Sequence, residues 1–247
     1  MGQVSQMNRR VAVFTGALAL VATAGVWWTA SAQGQRRRME PPVRHASRGT
    51  RGAVTAGTDA AADAGMRLYY LGGNAVDSGV AAMYAASIVE YSHFGFGGEA
   101  PILIRTKEGK VVSIAGVGTM PKAATAELFR TRKMLPGEVQ NLEPNGLKGM
   151  VPAAGIMPAL VPGMVEAGLV ALREYGTRSF ADVIAPAIEL ADASVLDEIR
   201  AGSIMRSRKF FELWPVSQKF YLGDGGPLAP GMIFRQPDLA RTLRAMV

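Results

Sequence analysis

The sequence predicts an α+β domain following a short basic leader. Three observations carry this. Capped stretches with helical spacing of apolar residues recur from Thr58 to Ala191 and again near the end. One pair of alternating apolar runs, 101–106 and 111–115, lies among them and reads as a β-hairpin. Hydrophobic residues make up 49% of the 247 and charged residues only 19%, enough apolar surface for a packed core.

The elements follow in order. Thr58 caps a helix through Leu71, with Asp59 and Asp63 near its positive end and Gly72-Gly73 as a left-handed stop. Asn74 and Asp77 open a second helix, running to about Glu90, with Val76, Val80, Tyr84 and Ile88 at i, i+4 spacing. Ala, Ser and Gly fill its other faces, so it is expected buried between layers. A glycine-rich crossing, Ser92 to Gly98, leads into the hairpin, whose turn holds Gly109. Gly116 to Pro121 is an irregular exit, and Ala123 to Arg130 a short helix.

Residues 131–158 show no period and read as a long loop. Pro162, at a first-turn position, opens a helix through Tyr175 with Val165, Leu169 and Leu172 inward and Gly176 as its stop. Ser179 and Asp182 open another to about Ala191, interrupted by Pro186, where a kink is expected. Tyr221 to Gly226 is a turn. Pro237 and Asp238 then begin a helix with Leu239, Leu243 and Met246 on one face; it reaches Val247 without a Gly or Asn cap, so the sequence looks cut there.

Formal charge is +7, but it is unevenly placed. Residues 1–32 carry only Arg9 and Arg10, and residues 33–52 carry six arginines against Glu40. From Ala53 onward 19 basic residues balance 19 acidic ones, which excludes a generally basic nucleic-acid-binding domain. Residues 1–32 read as an export signal: Arg9 and Arg10, the apolar run Val11 to Gly25, then Ala30-Ser31-Ala32 as cleavage site. The alternative is an uncleaved anchor with Trp27 and Trp28 at the interface; membrane contact is expected only in that case. Residues 33–52 read as a basic flexible linker, and 53–247 as the domain. The body is placed in the periplasm or outside the cell.

Chemistry is sparse. There is no Cys, which excludes disulfides, thiolate metal sites and a Cys nucleophile. His45 and His93 are too few for a His-rich metal centre, and no metal or cofactor is expected. Gly95 to Ala100 spells G-x-G-x-x-A, yet a dinucleotide loop needs a strand before it and a helix after, whereas here a helix precedes and a strand follows. A Ser-His-Asp triad has only His93 to draw on, and His93 reads as a turn residue. No complete catalytic set is present.

Leu68 through Ala82, containing Gly72-Gly73-Asn74-Ala75-Val76-Asp77 and Val80, resembles the opening of the γ-glutamyltransferase family. Val89-Glu90 followed by Gly95-Phe96-Gly97-Gly98-Glu99-Ala100 is similar to its V-E-P-x-x-x-G-I-G-G-G-G run. Pro121 with Ala123-Ala124-Thr125, Pro162-Gly163 with Tyr175-Gly176-Thr177, Pro186-Ala187-Ile188 with Leu190-Ala191, and Gln236-Pro237-Asp238-Leu239-Ala240 continue the likeness. The pieces are collinear from about Ala53 to Val247.

The resemblance implies an N-terminal nucleophile hydrolase, a four-layer αββα sandwich that is incomplete in this chain, acting on glutathione or other γ-glutamyl compounds by hydrolysis or transpeptidation. It also implies that the nucleophile is a Thr freed by autoproteolysis, downstream of the Gln236–Ala240 segment. A C-terminal remainder or small subunit carrying that Thr is therefore the expected partner, and this chain the large-subunit part without a catalytic residue. The substrate-pocket candidates are Gly97, Gly98, Val117, Gly118 and Thr119. Two departures stand out. Val117 occupies the position of the family's substrate-carboxylate Arg, and Glu99-Ala100 shortens the glycine run. They leave open a different acyl substrate, or a non-catalytic binding or scaffold relative.

Overall fold

The computed structural model describes residues 49–135, 138, 140–142, 148–152, 155–223 and 228–247. The export signal, most of the basic linker, and Asp224 to Gly226 of the expected turn lie outside the described residues.

Helix α1 spans Asp59–Tyr70, and the Thr58 hydroxyl accepts the Ala61 N–H. Gly72 leaves it at φ +80°, a conformation open to glycine without a Cβ clash. Helix α2, Ala75–Val89, begins in a full capping box: the Asn74 side chain accepts the Asp77 N–H while the Asp77 carboxylate accepts the Asn74 N–H. Val80, Tyr84 and Ile88 are buried and Val76 half-buried. α2 packs between α1 and two later helices, α4 (Met164–Tyr175) and α5 (Phe180–Asp192), which is why it is apolar on several faces.

Strands β1 (Ile102–Arg105) and β2 (Val111–Ile114) form the expected antiparallel hairpin, in register Ile102↔Ile114 to Arg105↔Val111. Gly109 turns it at φ +87°. Ile104 is buried, while Leu103 and Val111 face outward, exposed. The short helix α3 is Ala126–Thr131, starting later than expected because the Thr125 hydroxyl, accepting the Leu128 N–H, fixes the cap there. The long loop is corrected. Strands β3 (Gln140–Leu142) and β4 (Lys148–Pro152) pair antiparallel with a register shift, and that irregularity hid the strand period.

α4 is corrected in two respects. Gly163 is its cap, so Pro162 precedes the helix instead of lying in its first turn, and its buried residues are Met164, Ala167, Gly168, Ala171 and Leu172, with Val165 and Leu169 half-buried. The reason is the neighbour. Tyr84 of α2 lies against this face, and a Cβ on Gly168 would stand 2.2 Å from its hydroxyl oxygen. The same hydroxyl donates to the Val165 carbonyl at 3.0 Å. α5 is capped by Ser179 and continues through the buried Pro186.

The stretch after α5 holds elements that no local period announced: β5 (Ser194–Val195), α6 (Glu198–Arg206), α7 (Arg208–Phe211), α8 (Pro215–Leu222) and β6 (Ile233–Phe234), with β5 and β6 antiparallel. Leu196, Ala201, Ile204, Leu222 and Phe234 form a separate small core there. Helix α9, Pro237–Ala245, buries Ala240 and Leu243 and half-buries Leu239 and Met246. The buried Gln236 donates from Nε2 to the Ile88 carbonyl at 3.0 Å, tying the start of α9 to α2.

Candidate functional site

Four of the five candidate residues belong to one backbone crossing. Three segments meet there: Gly98–Ala100 before β1, Gly116–Thr119 after β2, and Val161–Met164 at the start of α4. The Gly98 carbonyl accepts the N–H groups of both Gly163 and Met164, each at 3.2 Å. These are first-turn donors that a helix cannot satisfy internally, so Gly98 serves as the cap that Gly163 lacks a side chain to supply. The Gly116 carbonyl accepts the Ala100 N–H at 2.9 Å. Thr119 and Val161 exchange two backbone hydrogen bonds, at 2.8 and 3.3 Å.

Glycines make this approach possible, Gly116 and Gly163 most sharply, with Gly118, whose Cβ would stand 2.8 Å from the Val161 carbonyl oxygen, beside them. Gly116 sits at φ +53°, and a Cβ there would fall 2.1 Å from the Ala100 carbonyl oxygen. A Cβ on Gly163 would meet Gly116 O at 2.6 Å and the Val117 carbonyl carbon at 2.8 Å. Both obstacles are backbone, which cannot swing aside as a side chain does.

Gly98 and Gly118 are half-buried in the crossing, and Val117 and Thr119 are exposed on it. Gly97 is exposed in the preceding turn with open space around its Cα, so nothing in the structure ties it to the others. Glu99, which stood out in the sequence as a departure from the glycine run but not among the pocket candidates, also belongs to the crossing. Its Oε1 accepts the Gly118 N–H at 3.0 Å, bridging two of the three segments. Its presence in an otherwise glycine run was the available signal. Phe96 anchors the turn by stacking on Tyr84, centroids 5.5 Å apart. Burial pushes the Tyr84 phenol well above its ordinary value, with the Glu166 carboxylate adding to the effect, so Tyr84 is a neutral donor here.

His93 is exposed, 3.3 Å from Ser92 Oγ, and among the described residues no hydrogen bond to a carboxylate orients it. Among the described residues no three His, Asp or Glu side chains gather as a metal site. Among the described residues, two cavities lie elsewhere. One, about 340 Å³, is bounded by Thr58, Tyr91, Asp197 and Arg200; the other, about 510 Å³, lies between residues 53–57 and α2. Glu90 and Arg200 sit beside them as a buried ion pair at 3.7 Å, with Thr58 Oγ1 donating to Glu90 at 3.2 Å and Asp197 3.3 Å from Arg200. Neither cavity is lined by the candidate residues. The crossing is an open surface that can present backbone groups, the Thr119 hydroxyl and one carboxylate to a ligand.

Among the described residues no helix is long and apolar enough to cross a membrane.

The family described as Gamma-glutamyltranspeptidase matches residues 61–247. The chain is 31% identical over 197 residues to the acylase ACY 1 proenzyme of Pseudomonas sp. (strain SE83), covering 79% of this chain and 34% of that protein. It is 31% identical over 195 residues to the glutathione hydrolase proenzyme of Pseudomonas sp. (strain A14), covering 78% and 32%. The structure superposes on Helicobacter pylori gamma-glutamyltranspeptidase with a TM-score of 0.71 at 26% identity, covering 82% of this chain and 55% of that one. The chain thus spans about a third of the length of the curated relatives it matches. Its α+β fold is that of the N-terminal nucleophile hydrolases, to which the described residues contribute the helices and three two-stranded antiparallel sheets. With a match from Ala61 to Val247, the chain belongs to the γ-glutamyltranspeptidase family.

Proposed function

We propose that this chain forms part of the acyl-substrate wall of an exported amide hydrolase or transpeptidase of the γ-glutamyl type. The bond-breaking groups come from polypeptide outside it. The observation that carries the reading is the crossing itself: Gly98 and the run Val117-Gly118-Thr119, separated in sequence by the β1–β2 hairpin, are assembled at the start of α4. The family match and the share of the relatives' length support a remainder of the same protein as the partner.

In this reading a Thr freed by self-cleavage attacks the acyl carbonyl of the substrate amide. Its α-amine, with an ordinary pKa of about 7.7–8.0, takes the hydroxyl proton and later delivers it to the leaving amine. Hydrogen-bond donors stabilise the tetrahedral oxyanion, and water or an amino-acid amine then takes the acyl group. The substrates proposed are γ-glutamyl compounds such as glutathione, or another acyl amide. Relatives named both as glutathione hydrolase and as acylase support either.

The test is mass spectrometry and kinetics on the full-length protein. Self-cleavage into two chains, the second beginning with Thr, together with release of nitroaniline from an acyl p-nitroanilide, is expected. A single uncleaved chain that forms no acyl-enzyme would overturn the reading.

A further inference from the structure

We infer that Glu99 determines acyl specificity: its carboxylate selects acyl groups bearing an ammonium beside Val117 and disfavours those bearing a carboxylate there. The inference rests on the reading of the crossing as substrate wall. Gly118 N–H donates to Glu99 Oε1 at 3.0 Å, which fixes the carboxylate between the two glycine-bearing segments. Glu99 is exposed, and among the described residues no ion pair neutralises it.

Of the candidate side chains only the exposed Thr119 hydroxyl could donate to an anion. Val117 is apolar and 50% exposed, and Gly97, Gly98 and Gly118 carry no side chains. The Gly118 N–H, a donor that a ligand carboxylate would use, is already occupied by Glu99. An ionised carboxylate is acceptor-only, so Glu99 complements a cationic donor and opposes a second carboxylate. Like charges placed together act as a rejecting element as well as a selecting one.

Three p-nitroanilides separate these effects on the full-length, self-processed protein. The 4-aminobutyryl anilide carries the ammonium alone, the glutaryl anilide the carboxylate alone, and the γ-glutamyl anilide both. The expected kcat/KM for the 4-aminobutyryl compound is about tenfold above that for the glutaryl compound, attraction and repulsion each contributing a few-fold. Glu99→Gln keeps an oxygen to accept from Gly118 but removes the charge, and should narrow that ratio about fivefold, chiefly through KM. The wild-type ratio tests the inference even where the variant folds poorly. If the glutaryl anilide is turned over as well as the 4-aminobutyryl one, or Glu99→Gln leaves the ratio unmoved, the role of Glu99 is overturned while the amide-hydrolase reading stands. If none of the three is hydrolysed and no acyl-enzyme forms, both are overturned.

Discussion

The buried Asp77 carboxylate accepts the Thr177 hydroxyl at 2.6 Å, joining the first turn of α2 to the link between α4 and α5. The same carboxylate accepts the N–H groups of Asn74, Thr177 and Arg178 at 2.8, 2.9 and 3.1 Å. Four donors thus converge on one side chain. A hydrogen-bonded carboxylate in this setting orients both helices that flank the crossing, because α4 carries Gly163 and α2 carries Tyr84.

Asp77→Ala is expected to destabilise the full-length protein by about 3–5 kcal/mol, since it leaves several donors without an acceptor in a buried place. Burial raises the Asp77 pKa, but the Thr177 hydroxyl and the three backbone N–H groups outweigh it, so the folded value lies below the ordinary one. A group depressed in this way stabilises the fold above its unfolded pKa, about 3.9, and that stability is lost as pH falls below it toward the folded value. Thermal melts should therefore show a wild-type loss below about pH 4 that is smaller in Asp77→Asn. Equal acid sensitivity in the two proteins would refute this account.

Gly116→Ala and Gly163→Ala should each cost about 2–4 kcal/mol, because the new methyl meets backbone at 2.1 and 2.6 Å and Gly116 also holds positive φ. Gly97→Ala, in open space, should be within about 0.5 kcal/mol of wild type. Urea unfolding of the three variants checks the order; a neutral Gly163→Ala would mean that the crossing is looser than its distances.

Arg200→Met should destabilise by about 3 kcal/mol, since it strands the buried Glu90 carboxylate without its cation. The double variant Glu90→Gln/Arg200→Met should lose less than the sum of the two single changes, because neutralising both removes the stranded charge. A double-mutant cycle from chemical denaturation measures this, and strict additivity would show that the 3.7 Å pair does not couple.

Val117→Arg introduces a cation on an exposed position of the crossing, beside Glu99. In the full-length protein it should lower KM for a γ-glutamyl anilide about tenfold at little change in kcat, the size of one charge-assisted contact made in the ground and transition states alike. An unchanged KM would place the acyl group away from Val117.

How much of this was legible depended on the range of the interaction concerned. Helix starts at Thr58, Asn74 and Ser179 are decided by a side chain and an N–H two or three residues away, so they could be read along the chain. The hairpin turn at Gly109 is equally local. The β3–β4 pair was not legible because its register shifts within five residues, and α6 to α8 because their small core with Phe234 lies outside any one helix's pattern. The inward face of α4 was misjudged for a related reason. Bulky Val165 and Leu169 looked like core, but the Tyr84 hydroxyl leaves no room for a Cβ at Gly168, and Ala167 lies against Gly116.

By itself, then, the amino-acid order determined the α+β class, the main helix ends and the collinear glycine and proline spacing that mark the family. Tertiary structure alone decided that Gly98, Gly116, Gly118 and Gly163 belong to one crossing, and that Glu99 closes it by taking the Gly118 N–H. Caps and turns are contacts between near neighbours, written in the order of residues. Backbone crossings depend on which distant segments packing brings within van der Waals reach, and that is settled only when the core around Tyr84 forms.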